Sequence, residues 1–354
     1  MKRVLLVIAI CLLTGLSAFS ATQAPAATFQ MITVPVDTWV NYAISADGRV
    51  LAANVGGEIF RWTAEQGFVD LGAGDFLNSS IGISADGSTI AGTIVGPDGL
   101  TNPGRWRQST GWISLGHTAK GCSMDGNWGS GYGLNHDGSV VVGLAWYCPG
   151  AQGFRWTEGG RMVGLSHPKD ASSRASAISA DGSTIVGFFE HPKQGIRRAV
   201  RWNPNRFNLF TGTTTPGEAT AVSSNGSQIV GQAADESGIH AFYFTDAAGL
   251  ISLGTLSGIP TDQSIANGIS DKGKVVGWSG DPFFGSGSEA FIWSAARPTA
   301  KMRSLRKVLT QAGAAIPDGI YLTNALAISA DGSTVVGTWQ DANYNQGTWI
   351  ARLK

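Results

Sequence analysis

Charge is scarce in this chain. Asp, Glu, Lys and Arg make up 14% of the 354 residues, with 25 groups of each sign. A neutral surface has no field to draw it to nucleic acid or to an anionic membrane, so neither is expected as a partner. Cysteine is nearly absent, at three residues. The five histidines, His117, His136, His167, His191 and His240, include no His-x-x-x-His or similar pair, so no metal site is expected. There is no Gly-x-Ser-x-Gly elbow and no phosphate-binding loop. With no catalytic set and no cofactor motif, a non-enzymatic protein is the first expectation. Proline, at 13, is too sparse for a low-complexity chain. No segment after the first 21 residues is apolar enough to cross a membrane.

The N-terminus carries an export pattern. Lys2 and Arg3 precede an apolar run from Val4 to Leu13, and Ser17-Ala18-Phe19-Ser20-Ala21 supplies small residues. Residues 1–21 therefore read as a signal peptide cleaved near Ala21, leaving 22–354 as one domain outside the cytoplasm, either periplasmic, secreted or at the cell surface. After cleavage only Cys122 and Cys148 remain. In an oxidising compartment they are expected to form a disulfide, with a pair of buried thiols as the alternative.

What the chain has in abundance is glycine, at 49 residues, and repetition. One unit occurs seven times: Ala43-Ile44-Ser45-Ala46-Asp47-Gly48 returns in variants whose glycines are Gly87, Gly138, Gly182, Gly226, Gly273 and Gly332. Spacings of 39 to 59 residues suit propeller blades. Each unit reads as four strands. Strand A holds Ile-Ser-Ala and ends in Asp-Gly or Asn-Gly, which predicts a two-residue hairpin turn. Strand B holds Val-Val-Gly, as in Val335-Val336-Gly337, and strand C holds an aromatic pair about an arginine, as in Phe60-Arg61-Trp62. Strand D is short, as in Val69-Asp70-Leu71-Gly72.

Small four-stranded sheets bury both faces only by packing on one another in a ring, so the expectation is an all-β, seven-bladed propeller. A β-solenoid is the competing fold, but it offers no reason for four distinct strands per unit. The seventh unit ends after strand C, and Phe29 to Val36 forms an orphan strand that can supply the missing partner. One stretch, Met302 to Gly313, has helical spacing and predicts a short helix near 301–313.

The unit resembles that of the HAF-repeat proteins, a family of extracellular repeat proteins. The literal tripeptide His240-Ala241-Phe242 opens one strand C, and Glu289-Ala290-Phe291 is its variant. The likeness spans residues 40–354 and implies export or surface display without implying an activity. Two departures are Gly104-Arg105-Trp106 in unit two and Phe207-Asn208-Leu209-Phe210 in unit four.

Loop lengths select the face for function. The A–B turns carry no spare residues, whereas the B–C and D–A connections are long and variable and share one face of a propeller. Aromatics fall there: Trp128, Trp146, Tyr147, Trp278, Phe283, Phe284, Trp339 and Tyr344. Trp146, Trp278 and Trp339 lie just past strand B in three units, where they either form a stacking platform for sugar rings or cover their own blades. The reading is an exported binding propeller for carbohydrate or for a surface protein. The alternatives are a glycan-active enzyme using carboxylates such as Asp98, Asp235, Glu236, Asp281, Glu289 and Asp341, and a structural surface protein.

Overall fold

Each unit starts from a hairpin organised by one buried side chain. In the fourth unit the Ser179 Oγ accepts the Thr184 N–H at 3.0 Å and donates to Asp181 Oδ1 at 2.6 Å. Asp181 Oδ1 also accepts the Ser183 N–H at 3.0 Å. The Gly182 N–H closes the turn on the Ser179 carbonyl at 3.0 Å, with Gly182 at φ 75°. The expected two-residue turn needs positive φ at both central residues, and among the described residues no aspartate has it. The turn is instead a four-residue Ser-Ala-Asp-Gly loop in which only the glycine is left-handed. The aspartate is there for its oxygens and not for its tolerance of positive φ. Asn225 replaces it in unit five with the same bonds, from Ser223 Oγ at 2.8 Å and the Ser227 N–H at 3.1 Å.

In the computed structural model residues 26–353 are described apart from 36–39, 75–80, 97–98, 117–128, 148–149, 170, 204–205, 210–214, 260 and 282–286. A first strand, β1 (Thr28–Ile32), precedes the blades. Blade one is β2 (Val40–Ile44), β3 (Val50–Val55), β4 (Glu58–Thr63) and β5 (Gly67–Ala73). Blade two is β6 (Ile81–Ile83), β7 (Thr89–Val95), β8 (Thr101–Arg107) and β9 (Gly111–Ser114). Blade three is β10 (Gly129–Leu134), β11 (Val140–Tyr147), β12 (Gly150–Thr157) and β13 (Val163–Gly164). Blade four is β14 (Ser173–Ile178), β15 (Ile185–Glu190), β16 (Arg197–Trp202) and β17 (Arg206–Asn208). Blade five is β18 (Gly217–Val222), β19 (Ile229–Asp235), β20 (Gly238–Thr245) and β21 (Gly249–Ser252). Blade six is β22 (Gln263–Ile269), β23 (Lys274–Gly280), β24 (Glu289–Ser294) and β25 (Arg303–Ser304), followed by α1 (Leu305–Gln311). Blade seven is β26 (Ile320–Ile328), β27 (Thr334–Asp341) and β28 (Gln346–Arg352), with β1 as its fourth strand.

The seven four-stranded sheets confirm the propeller. β1 runs antiparallel to β28 from Thr28↔Arg352 to Ile32↔Thr348, so the orphan strand closes the ring as its position suggests. The seam is tied again by Tyr42 and Thr348, whose hydroxyls meet at 2.7 Å. Burial pushes the Tyr42 hydroxyl up to about 12, against the pull of that bond. The helix is shorter than the spacing suggests. Arg303 and Ser304 are taken as strand D of blade six, and α1 starts where the Ser304 Oγ caps the Lys307 N–H at 3.2 Å.

Packing lies between blades. Val186 and Ala199 of blade four meet Ala219, Ile229 and Phe242 of blade five, and the other seams repeat this layer. At the axis one aliphatic side chain from each strand A (Ile44, Ile83, Leu134, Ile178, Val222, Ile269 and Ile328) faces a narrow cavity of about 160 Å³. Around it the turns are stitched by backbone bonds: Ala46 N–H to Ala85 O, Ala85 to His136, His136 to Ala180 and Ala180 to Ser224, all between 2.8 and 3.0 Å. The Ser224 N–H uses the Asp271 carboxylate instead, and the Asp331 N–H returns to the Ala46 carbonyl. On this same face the strand-C arginines reach the next blade. The Arg61 Nε–H donates to the Gly87 carbonyl, and Arg201 holds Asp246 through both terminal nitrogens.

Candidate functional site

The opposite face carries the B–C and D–A connections, though the B–C hairpins are tighter than the sequence suggests. Strands B and C run on into them, so only two residues separate β11 from β12 and two separate β3 from β4. Trp146, Trp278 and Trp339 accordingly lie inside strand B and not past it. They also occupy different registers. Counted from the strand-B glycines 143, 277 and 337, they stand three, one and two residues on. Alternation therefore turns Trp339 to the opposite sheet face from the other two.

Trp146 is 45% exposed at the end of its blade. Trp278 sits between Ile265 and Ala290 in the ladder. Trp339 lies against Gly347, where its ring fills the space of a missing side chain, and it lines a depression of about 210 Å³ with Met31, Thr33 and Gln346. Tyr147 ends β11. Trp128, Phe283, Phe284, Cys122, Cys148 and the signal segment lie outside the described residues, as does Asp98.

A cavity of about 570 Å³ opens between blades six and seven. Its walls come from Ser288 and Glu289 at the start of strand C, Arg306 on α1, Ile320 to Thr323 at the start of β26, and Gln340, Asp341, Ala342 and Tyr344 at the last B–C hairpin. Tyr344 is 72% exposed and Tyr321 is 59% exposed, so two phenol rings stand at the rim. Tyr344 has φ 66°, and among the described residues it is the one non-glycine with positive φ. That strain is held by Asp341, which accepts the Asn343 and Asn345 N–H groups at 2.8 and 2.9 Å and the Asn345 side-chain amide at 2.8 Å. The bond from Asn345 is the main reason the Asp341 carboxyl stays below its usual range. Glu289 accepts the Ser304 hydroxyl. Arg306 donates Nη1–H to the Ile320 carbonyl at 2.6 Å and holds the cavity edge.

Tyr321 escaped the sequence reading because it sits in strand A and not in a loop. Its signal was an aromatic two residues after Gly319, at the mouth of β26.

The HAF histidine has a structural partner. His240 Nδ1 and Asp235 Oδ2 are 2.7 Å apart, and the Ser252 Oγ donates to that same oxygen at 2.9 Å. Burial disfavours the Asp235 carboxylate, but the bonds from His240, Ser237 and Ser252 outweigh it and hold the carboxyl below its usual range. An acid, a histidine and a serine are thus together, yet the serine is bonded to the acid. Nucleophile activation needs a serine-to-histidine bond. At the equivalent position of blades four and six, Arg198 donates to Gln194 at 2.9 Å and Glu289 accepts the Ser304 hydroxyl, so in these three blades the polar residue is braced within its own blade. No group of three or more His, Cys, Asp or Glu able to hold a metal occurs among the described residues.

No family model matches this chain, and no curated protein matches it. Solved structures do. The β-propeller domain of the Trilobed protease from Pyrococcus furiosus is similar at 12% identity and a TM-score of 0.56, over 92% of this chain and 95% of that one. That domain is described as having an open velcro topology, whereas here β1 closes blade seven. A structure from work on two prolyl endopeptidases matches at 10% identity and a TM-score of 0.54, over 93% of this chain and half of that one. TolB from Acinetobacter baumannii gives 13% identity and a TM-score of 0.45, over 75% of this chain and 65% of that one. At such identities the likeness with the two protease structures is one of fold, and the chain is a seven-bladed β-propeller.

Proposed function

We propose that this is an exported binding propeller of the HAF-repeat type that recognises carbohydrate on its loop-rich face, in the cavity between blades six and seven. The observation that carries this reading is the pair Tyr321 and Tyr344, both exposed and both lining one cavity with Glu289, Gln340 and Asp341. Exposed aromatic faces suit the C–H faces of sugars, and neighbouring amide and carboxylate oxygens suit their hydroxyls. The positive φ of Tyr344 supports the same reading, since strained residues kept by a fold concentrate at binding sites. Export rests on the charged and apolar pattern of residues 1–21.

The test is a glycan array with the purified protein beside Tyr321→Ala and Tyr344→Ala, each checked for an unchanged fold by circular dichroism. Glycans retained by the parent and lost by both variants support the site. A folded parent that retains none, or variants that retain the same glycans, would sink it.

A further inference from the structure

We propose that the cleft between blades four and five is a second ligand site, which takes a carboxylate-bearing small molecule on Arg197. It is a cavity of about 320 Å³ on the loop-rich face, bounded by Ile196 and Arg197 after one B–C hairpin, Pro216 and Glu218 at the start of β18, and Gln232 and Ile239 behind. It does not depend on the sugar reading of the larger cavity, with which it shares no residue.

The charges in this cleft depart from the repeat. Four residues before the strand-A aliphatic, other blades carry Val40, Ser130, Ile265 and Asn324, whereas blades four and five carry Arg174 and Glu218. The two form an ion pair across the seam, with side chains 22% and 8% exposed. The Arg174 guanidinium is held between rings, 4.8 Å from Tyr132 and 4.9 Å from Phe188. A buried pair of this kind already balances Glu218.

Arg197 then adds a second cation. Its guanidinium stands 4.3 Å over Phe188, and its Nη1 is 3.3 Å from Glu218 Oε2. Its side chain is 53% exposed, and its other N–H donors meet no acceptor among the described residues. Glu190 lies opposite Arg197 in the ladder, but no ion pair joins them and Glu190 does not line the cavity. Two guanidiniums, Arg174 and Arg197, thus share the one carboxylate of Glu218, which leaves the cluster a net positive charge.

Phe188 fixes the plane of a fork that matches a carboxylate. Glu218 at the back of the cleft disfavours a dianion, so a monoanion fits better than phosphate. Ile196 and Ile239 offer apolar surface to the remainder of the ligand.

Titration calorimetry on the intact protein tests this with glucuronate, N-acetylglycine, glucose and inorganic phosphate. Glucuronate, N-acetylglycine or both should bind, and glucose should not. Arg197→Gln should weaken that binding by about tenfold or more, the scale of one charge-assisted hydrogen bond. Arg197→Lys should recover part of it, and Tyr344→Ala should leave it unchanged. Binding of glucuronate alone would assign the carboxylate to a sugar acid, and binding of N-acetylglycine alone to a peptide or organic acid. Phosphate binding more tightly than both acids, no acid binding at all, or an Arg197→Gln protein of unchanged fold and unchanged affinity would each overturn the proposal.

Discussion

The carbonyl oxygen of Arg174 occupies the space that a Cβ on Gly187 would need. The same relation joins Ser130 to Gly143, Glu218 to Gly231, Ile265 to Gly277 and Asn324 to Gly337. In each of these blades strand A carries a bulge beside that point. The bulge turns a carbonyl into strand B, and the glycine of Val-Val-Gly is what lets it in. Blade one is the control within the chain. It has Ala53 at this position, and its β2–β3 pairing runs without a bulge. Gly187→Ala should therefore destabilise the protein by about 1–3 kcal/mol, the range for overpacking a well-filled interior. The reverse change, Ala53→Gly, should cost about 1 kcal/mol or less, since it removes one methyl and loosens a strand. Urea midpoints for the two variants check this, and equal losses would mean that the bulge carbonyl is not what demands glycine.

The turn aspartates predict how the fold responds to acid. Bonds from Ser179 and Ser183 hold the Asp181 carboxyl below its usual range, and the bonds from Ser139 do the same for Asp137. A depressed folded pKa contributes stability above the unfolded value of about 3.9, and that stability is lost as pH falls through the lower folded value. Stability should thus be flat from neutrality to about pH 5 and should decline from about pH 4 downward. Asn225 shows that an amide makes the same turn. Asp181→Asn should keep the fold at pH 7 and flatten part of the acid decline. Denaturant midpoints at pH 7 and pH 3 decide it, and an unchanged slope in the variant would refute the role of this carboxylate.

The propeller was visible in the sequence because its units repeat the residues that backbone geometry cannot vary: Ser for the turn, Gly at positive φ, and Gly opposite the bulge. The turn type was not, since Asp-Gly fits both a two-residue turn and the Ser-Ala-Asp-Gly loop, and only the buried Ser179 bonds distinguish them. The binding face followed from loop length, but its chemistry did not. Trp339 drew attention as a loop aromatic, yet it covers Gly347. Tyr321, Arg174 and Glu218 went unread because they lie in strand A, where the repeat hides single departures. Comparing units position by position would have exposed the charged pair.

Tyr344 separates stability from recognition. A non-glycine residue at φ 66° holds strain of about 1 kcal/mol or more. Tyr344→Gly should relieve it and raise the thermal midpoint, while removing the ring that the sugar reading requires. Tyr344→Ala removes the ring and keeps the strain. If glycans are retained by either variant, the ring is not a binding element. If Tyr344→Gly is less stable than the parent, the hairpin is held by the phenol and not strained by it.

The clasp should set the order of opening. In its sheet β1 pairs with β28 alone, and Phe29 stacks on Trp349 at a centroid distance of 6.2 Å. Tyr42→Phe leaves the buried Thr348 hydroxyl without its cross-seam partner, at a cost of about 1–3 kcal/mol. Ile32→Ala removes apolar contact between the clasp and blade one, at about 2–4 kcal/mol. Because neighbouring blades touch only one another, both losses should appear first at the seam. Hydrogen exchange should quicken in β1, β2 and β28 before it changes in β14 to β21. Exchange that quickens equally in every blade would instead mean that the ring opens as one cooperative unit, with the clasp no weaker than any other seam.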